Sequence, residues 1–205
     1  MASEISHVVY AARVLTNLAS EVHDPEYWVG TLFPNIYQIE QRTRHPLHPD
    51  NISLYSLVGS TDFLTGLRVH AWIDVTRENY LRKNLIKERL PWNPATPEAF
   101  KLLEDDLLYD YFDDWDLIYR LLNKVNGEET GFVSDSKIVL RWHEIIQRYF
   151  KTHPDDESRQ KMLEAKGLTK TLAKNIVKRM HEIKKLPAAT KLLEGFWGYL
   201  EDALN

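Results

Sequence analysis

The sharpest chemical signal in this 205-residue chain is His70-Ala-Trp-Ile-Asp74. On a helix, positions i and i+4 stand one above the other on one face, so an imidazole nitrogen and a carboxylate oxygen can converge on a single cation. Both donors suit zinc, manganese or iron. The pair lies among Val69, Ala71, Trp72, Ile73 and Val75, and an ionised Asp on so apolar a helix needs a partner. A plain His–Asp hydrogen bond satisfies the same spacing. Two more histidines stand out. His7 interrupts an apolar helical stripe, either as a ligand or as a satisfied core residue. His45 lies on the polar stretch from Gln41 to Asp50, which contains Pro46 and Pro49; loops of this kind display ligands from rigid scaffolds, and His48 shares it. The chain has no Cys, which removes disulfides, thiolate catalysis and every Cys-based metal site. Any transition metal must therefore be held by His, Asp, Glu or an amide oxygen.

The elements that would position these groups read as helices. Ile5, Val8, Val9, Ala12, Val14, Leu15 and Leu18 recur at helical spacing, which predicts a helix over 4–19 with Ser3 as its N-cap. Asp24-Pro25 opens a short helix over 26–33, and Pro34 breaks it. Ser60-Thr61-Asp62 caps a long helix over 63–87, with Phe63, Leu67, His70, Asp74 and Arg77 along one side. Pro91, Pro94 and Pro97 interrupt the chain; helices over 98–122, 136–150, 154–165, 169–184 and 187–203 follow. Asn126-Gly127 reads as a turn, and Gly167 as a helix end. No strand and no internal repeat emerges. The fold class is all-α: a single multi-helix bundle of seven or eight helices, one domain over 1–205, with a metal-site half, 1–90, and a helical C-terminal half, 91–205.

Several function classes fall away. The N-terminus lacks a basic start, an apolar core and a small-residue cleavage site, so it is not a secretory signal. No run approaches about 18 apolar residues, so no transmembrane segment is expected and the default compartment is cytoplasmic. A formal charge of −4 argues against a general nucleic-acid binder. There is no Gly-rich phosphate loop, nucleophile elbow or dinucleotide fingerprint. The segment from Glu104 to Asp116 is acidic; Asp106, Asp110 and Asp113 would share a helical face, as a hard-cation site or, more simply, a solvated side. Lys166 to Lys185 is basic, with Lys170, Lys174 and Lys178 on one face, a stripe for phosphate or anionic lipid or a solvated face paired with the acidic segment. Phe196, Trp197 and Tyr199 would anchor the last helix in the core or in an oligomer contact.

The order of features in the N-terminal part resembles the zinc-dependent phospholipase C family and its relatives, the single-strand-specific zinc nucleases. The matching stretches are Ile5-Ser6-His7, Gly30-Thr-Leu-Phe-Pro34-Asn35-Ile36, Arg42-Thr-Arg-His45, and Phe63-Leu-Thr-Gly66-Leu-Arg-Val-His70-Ala-Trp-Ile-Asp74, over about the first 80 of 205 residues. The resemblance implies an all-helical phospholipase C-like scaffold and a metal held by His7, His45, His70 and Asp74. His45 is preferred to His48 because it keeps the Arg-x-x-His spacing. Asn35 would be a ligand or hydrogen-bond donor, and Arg42 or Arg44 would meet a substrate phosphate. His143 would reach the same site, although Gln147 stands where the family has Glu. Asn35 likewise stands where the family usually has Asp, and the loss of two carboxylates favours one metal over three. Zinc is the first expectation, with iron, manganese or nickel able to occupy such a site.

Two functions follow. The first is a metal-dependent phosphoester hydrolase acting on a phosphoester substrate. The second is a non-catalytic helical module that retains a degenerate metal site or only a hydrogen-bonded core network. A third reading, an HD-type phosphohydrolase, would need His23-Asp24 as its adjacent pair, in what reads as a turn.

Overall fold

The computed structural model describes residues 2–18, 25–40, 48, 52–84 and 86–204, and among these no residue is in a strand. The helices are α1 (Glu4–Leu18), α2 (Glu26–Leu32), α3 (Tyr37–Glu40), α4 (Asp62–Lys83), α5 (Ile86–Arg89), α6 (Thr96–Leu108), α7 (Trp115–Leu121), α8 (Gly127–Phe132), α9 (Ser136–Phe150), α10 (Asp156–Ala165), α11 (Lys170–Lys184) and α12 (Pro187–Leu204). Short 3-10 turns occupy Phe33–Ile36, Leu54–Ser56 and Tyr109–Tyr111. The all-α reading holds. The helices among the described residues outnumber the seven or eight expected, and the reasons are local.

The helix expected over 63–87 stops at Lys83, where Asn84 leaves helical geometry and turns its side-chain amide onto the Tyr80 carbonyl at 3.0 Å. The helix expected over 98–122 divides, because Phe112 is extended and the Asp114 side chain caps α7 by accepting from Leu117 N–H. Asp favours such caps over helix interiors. Asp110 and Asp113 therefore leave the helical face of Asp106, which is itself held by Arg159 and by Lys184 at 2.7 Å. The turn expected at Asn126-Gly127 is the start of α8: Asn126 N–H donates to Glu129 Oε2 at 2.7 Å and the Asn126 side chain accepts from Glu128 N–H. Gly167 ends α10 with φ of +94°, the left-handed conformation a C-terminal glycine supplies.

The α2–α4 contact sets the architecture around the site. A Cβ on Gly30 would lie 2.0 Å from the Phe63 carbonyl oxygen, and one on Gly66 would lie 2.0 Å from that of Tyr27. Only glycine lets these two backbones touch. The N-terminal half of α1 is enclosed all round, from Glu4 to Ala11, so its polar residues Glu4, Ser6 and His7 must find partners inside the protein. The hydrophobic core is continuous from Ala2 to Leu204. Phe196 of α12 packs edge-on against Tyr10 of α1, and Tyr199 lies against Tyr80 of α4, so the C-terminal aromatics are core anchors. No helix among the described residues is long and apolar enough to cross a membrane.

Candidate metal centre

α1 and α4 bring His7, His70 and Asp74 together. One ligand atom from each lies within 4.8 Å of the others, and all three side chains are buried. His7 and His70 stack face to face. Each ring is fixed through its Nδ1. The Nδ1–H of His7 donates to the Ser3 carbonyl at 2.8 Å, one turn back on α1. That of His70 donates to the Thr31 carbonyl at 2.7 Å. Pro34 has no N–H to offer the Thr31 carbonyl three residues back, and the α2–α4 backbone contact brings that oxygen to His70. A backbone carbonyl on Nδ1 sets the tautomer and leaves Nε2 as a lone-pair donor, the arrangement found behind metal-ligating histidines.

Those Nε2 atoms meet a carboxylate. His7 Nε2 is 3.2 Å from Asp74 Oδ1, and His70 Nε2 is 3.7 Å from Asp74 Oδ2. A fourth group enters from the polar stretch: His48 Nε2 is 3.0 Å from His70 Nε2 and 3.6 Å from Asp74 Oδ2, with its ring edge-on to Tyr37. His48 is only 6% exposed. Asp74 Oδ1 also accepts the Ala2 N–H at 2.8 Å.

Burial alone would raise the Asp74 carboxyl, but the charge and hydrogen bond of His7, with His70 behind, hold it well below the usual carboxylate range. Burial pushes His70 well below its ordinary value, and His7 pushes the same way, while Asp74 opposes. These directions favour an ionised Asp74 and a neutral His70, the protonation states of metal ligands. His7 Nε2 is buried and faces Asp74 Oδ1 at 3.2 Å. Lone pairs of imidazole and carboxylate facing one small volume require a proton or a metal cation between them, and the donor set fits a borderline divalent metal.

A second layer of buried polar groups lies along α1. Glu4 accepts from Lys166 Nζ at 2.7 Å, from Asn35 Nδ2 at 3.3 Å and from Ser3 Oγ at 3.0 Å. Burial pushes the Glu4 carboxyl up, but Lys166 outweighs it and holds the group below its ordinary value. Ser6 donates through both N–H and Oγ to Asp105, which also accepts from Tyr149. Tyr10 and Arg77 share Glu104.

The residues expected from the sequence divide into four groups. His7, His70 and Asp74 converge. Asn35 is buried nearby, with its amide nitrogen on Glu4 and its Oδ1 without a hydrogen-bond partner among the described residues. His143 is buried elsewhere: its Nε2 lies 2.7 Å from Glu129 Oε1, and it is not part of the His7–His70–Asp74 group. Arg42, Arg44, His45 and the His23-Asp24 pair lie outside the described residues. Sequence reasoning passed over Glu4 and Glu129 and read Lys166 only as part of a basic segment. Glu4 and Glu129 had signals: Glu4 sits three residues before His7 in an apolar stripe, and Asn126-x-x-Glu129 is a capping-box pattern. Lys166 had none.

Comparison with protein families, with curated proteins and with solved structures finds no match to this chain.

Proposed function

We propose that this chain binds one divalent transition metal, zinc before iron, manganese or nickel, through His7, His48, His70 and Asp74, and that it acts as a metal-dependent phosphoester hydrolase. The observation that carries the metal reading is the convergence of the buried His7 Nε2, His70 Nε2 and Asp74 carboxylate on one enclosed volume. Ser3 and Thr31 hold the two α-helical imidazoles in the ligating tautomer through their carbonyl oxygens. His48 supplies a donor from outside the helices. A divalent metal held there would supply Lewis acidity toward a phosphoryl oxygen. The choice of phosphoesters rests on the resemblance of the Ile5–His7, Gly30–Ile36, Arg42–His45 and Phe63–Asp74 stretches to zinc-dependent phospholipase C.

One observation favours a second reading, a closed structural centre in a non-catalytic module. All four residues are at most 6% exposed, and three imidazoles with one carboxylate would supply the four ligands of a closed structural site.

The test is elemental analysis of tag-free protein purified without added metal or chelator, beside a His70→Ala, Asp74→Ala double variant. About one metal per chain, lost in the variant, supports the centre. Metal-free protein that takes up no zinc, manganese or iron on titration overturns it. Cobalt substitution then separates the two functions. A visible spectrum that shifts on addition of inorganic phosphate supports an open, hydrolytic site, whereas an indifferent spectrum and no turnover of phosphodiesters or phospholipids support the structural one.

A further inference from the structure

We propose that the Lys166 ammonium is a tethered cation filling a second cation position beside the metal centre, so that the chain binds one metal and not two. The proposal rests on the metal reading of His7, His48, His70 and Asp74. Glu4 is 1% exposed, and a carboxylate taken that far from water needs a compensating charge. Lys166 provides it at 2.7 Å from Oε1. The two positions are adjacent: Ser3 donates its hydroxyl to Glu4 Oε2 and its carbonyl oxygen holds His7 Nδ1, and Glu4 and His7 are one helical turn apart on α1.

Glu4 Oε1 is flanked by the Lys166 ammonium and by the buried side chain of Asn35. Asn35 donates from Nδ2 to this oxygen at 3.3 Å, and its own Oδ1, in a residue 1% exposed, has no hydrogen-bond partner among the described residues. Turned about its Cβ–Cγ bond, the Asn35 amide would bring Oδ1 in place of Nδ2 beside Glu4 Oε1, and a carboxylate oxygen with an amide oxygen suits magnesium, manganese or zinc. The ammonium reaches the point from the C-terminal end of α10, where the chain turns at Gly167, and it passes over the Trp142 ring at 5.9 Å. The Lys166 side chain is 10% exposed, so its stem leads from the surface to Glu4. Lysine suits this role because its charge is a compact point on a flexible stem.

The experiment loads the full chain with excess zinc or manganese, removes free metal by dialysis, and measures metal per chain for wild type, Lys166→Met and the Glu4→Gln, Lys166→Met double variant. The expected result is one equivalent in wild type, two in Lys166→Met, and one in the double variant. Two equivalents in wild type, or one in a folded Lys166→Met, overturns the proposal while leaving the metal centre intact. No metal in wild type overturns both readings. If Lys166→Met does not fold without metal, circular dichroism during metal addition decides. Recovery of helicity with manganese or zinc supports the tethered cation, and lack of recovery overturns it.

Discussion

The rings of His7 and His70 lie parallel, with centroids 3.7 Å apart and planes 7° from parallel, and each donates its Nδ1–H to a backbone carbonyl. Stacked this closely and buried, the two imidazoles cannot both become imidazolium cations without strong repulsion, so together they favour a shared cation over two separate ones. Zinc should therefore stabilise the fold: at about a thousandfold excess over Kd the gain is roughly 4 kcal/mol. Thermal unfolding with and without zinc checks this. His7→Ala and His70→Ala should each abolish most of the shift, and an undiminished shift in both would place the metal elsewhere.

The α2–α4 contact makes a second prediction. Gly66→Ala would drive a methyl group into the Tyr27 carbonyl and push α2 away from α4. Overpacking of this kind costs about 3 kcal/mol or more where the obstacle is backbone. The Thr31 carbonyl that orients His70 would move with α2. Gly66→Ala should thus lower both the denaturation midpoint and zinc affinity, while Gly198→Ala, which meets nothing within 4 Å, should leave both near wild type. Calorimetric titration of zinc into the two variants makes the comparison, and unaltered affinity in Gly66→Ala would separate the helix contact from the site.

The helical class and the His70–Asp74 pair were legible because both depend on local spacing alone: a period of 3.6 residues exposes one face, and i, i+4 residues meet on it. His7 was legible as an anomaly in an apolar stripe. What was not legible depends on tertiary contact. Nothing in the residues around Lys166 announces that its ammonium ends on Glu4, 162 positions earlier. His143 looked like a ligand from its type and from the resemblance, yet its partner is Glu129 of the preceding helix, a contact fixed by how α8 and α9 meet. The break after Leu108 was hidden because the acidic residues that cap α7 have the same spacing as a solvated helical face.

The Glu129–His143 pair separates structural from ligating histidines. Glu129 is fully buried, with Oε1 on His143 and Oε2 on the Asn126 N–H. Removing the imidazole strands a buried carboxylate, which costs about 3 kcal/mol or more. His143→Ala should therefore lower stability in urea by that order and leave the metal content of folded protein at the wild-type level. Loss of metal from folded His143→Ala would return His143 to the centre.

Asp105 gives the fold a pH dependence of definite sign. Burial pushes its carboxyl up from 3.8 to about 6, even though Ser6 N–H, Ser6 Oγ and Tyr149 Oη all donate to it. The folded chain therefore holds this proton between 3.8 and about 6, where the unfolded chain has released it. The stability tied to the proton is complete below 3.8 and is lost as pH rises through about 6, an effect of about 3 kcal/mol. Asp105→Asn keeps an acceptor for Ser6 and offers an amide N–H to Tyr149 Oη, but it cannot ionise. Unfolding free energies of wild type and Asp105→Asn, measured from pH 4 to pH 8, should diverge in favour of the variant as pH rises. A constant difference across that range would show that Asp105 ionises in the folded protein as it does in the unfolded chain.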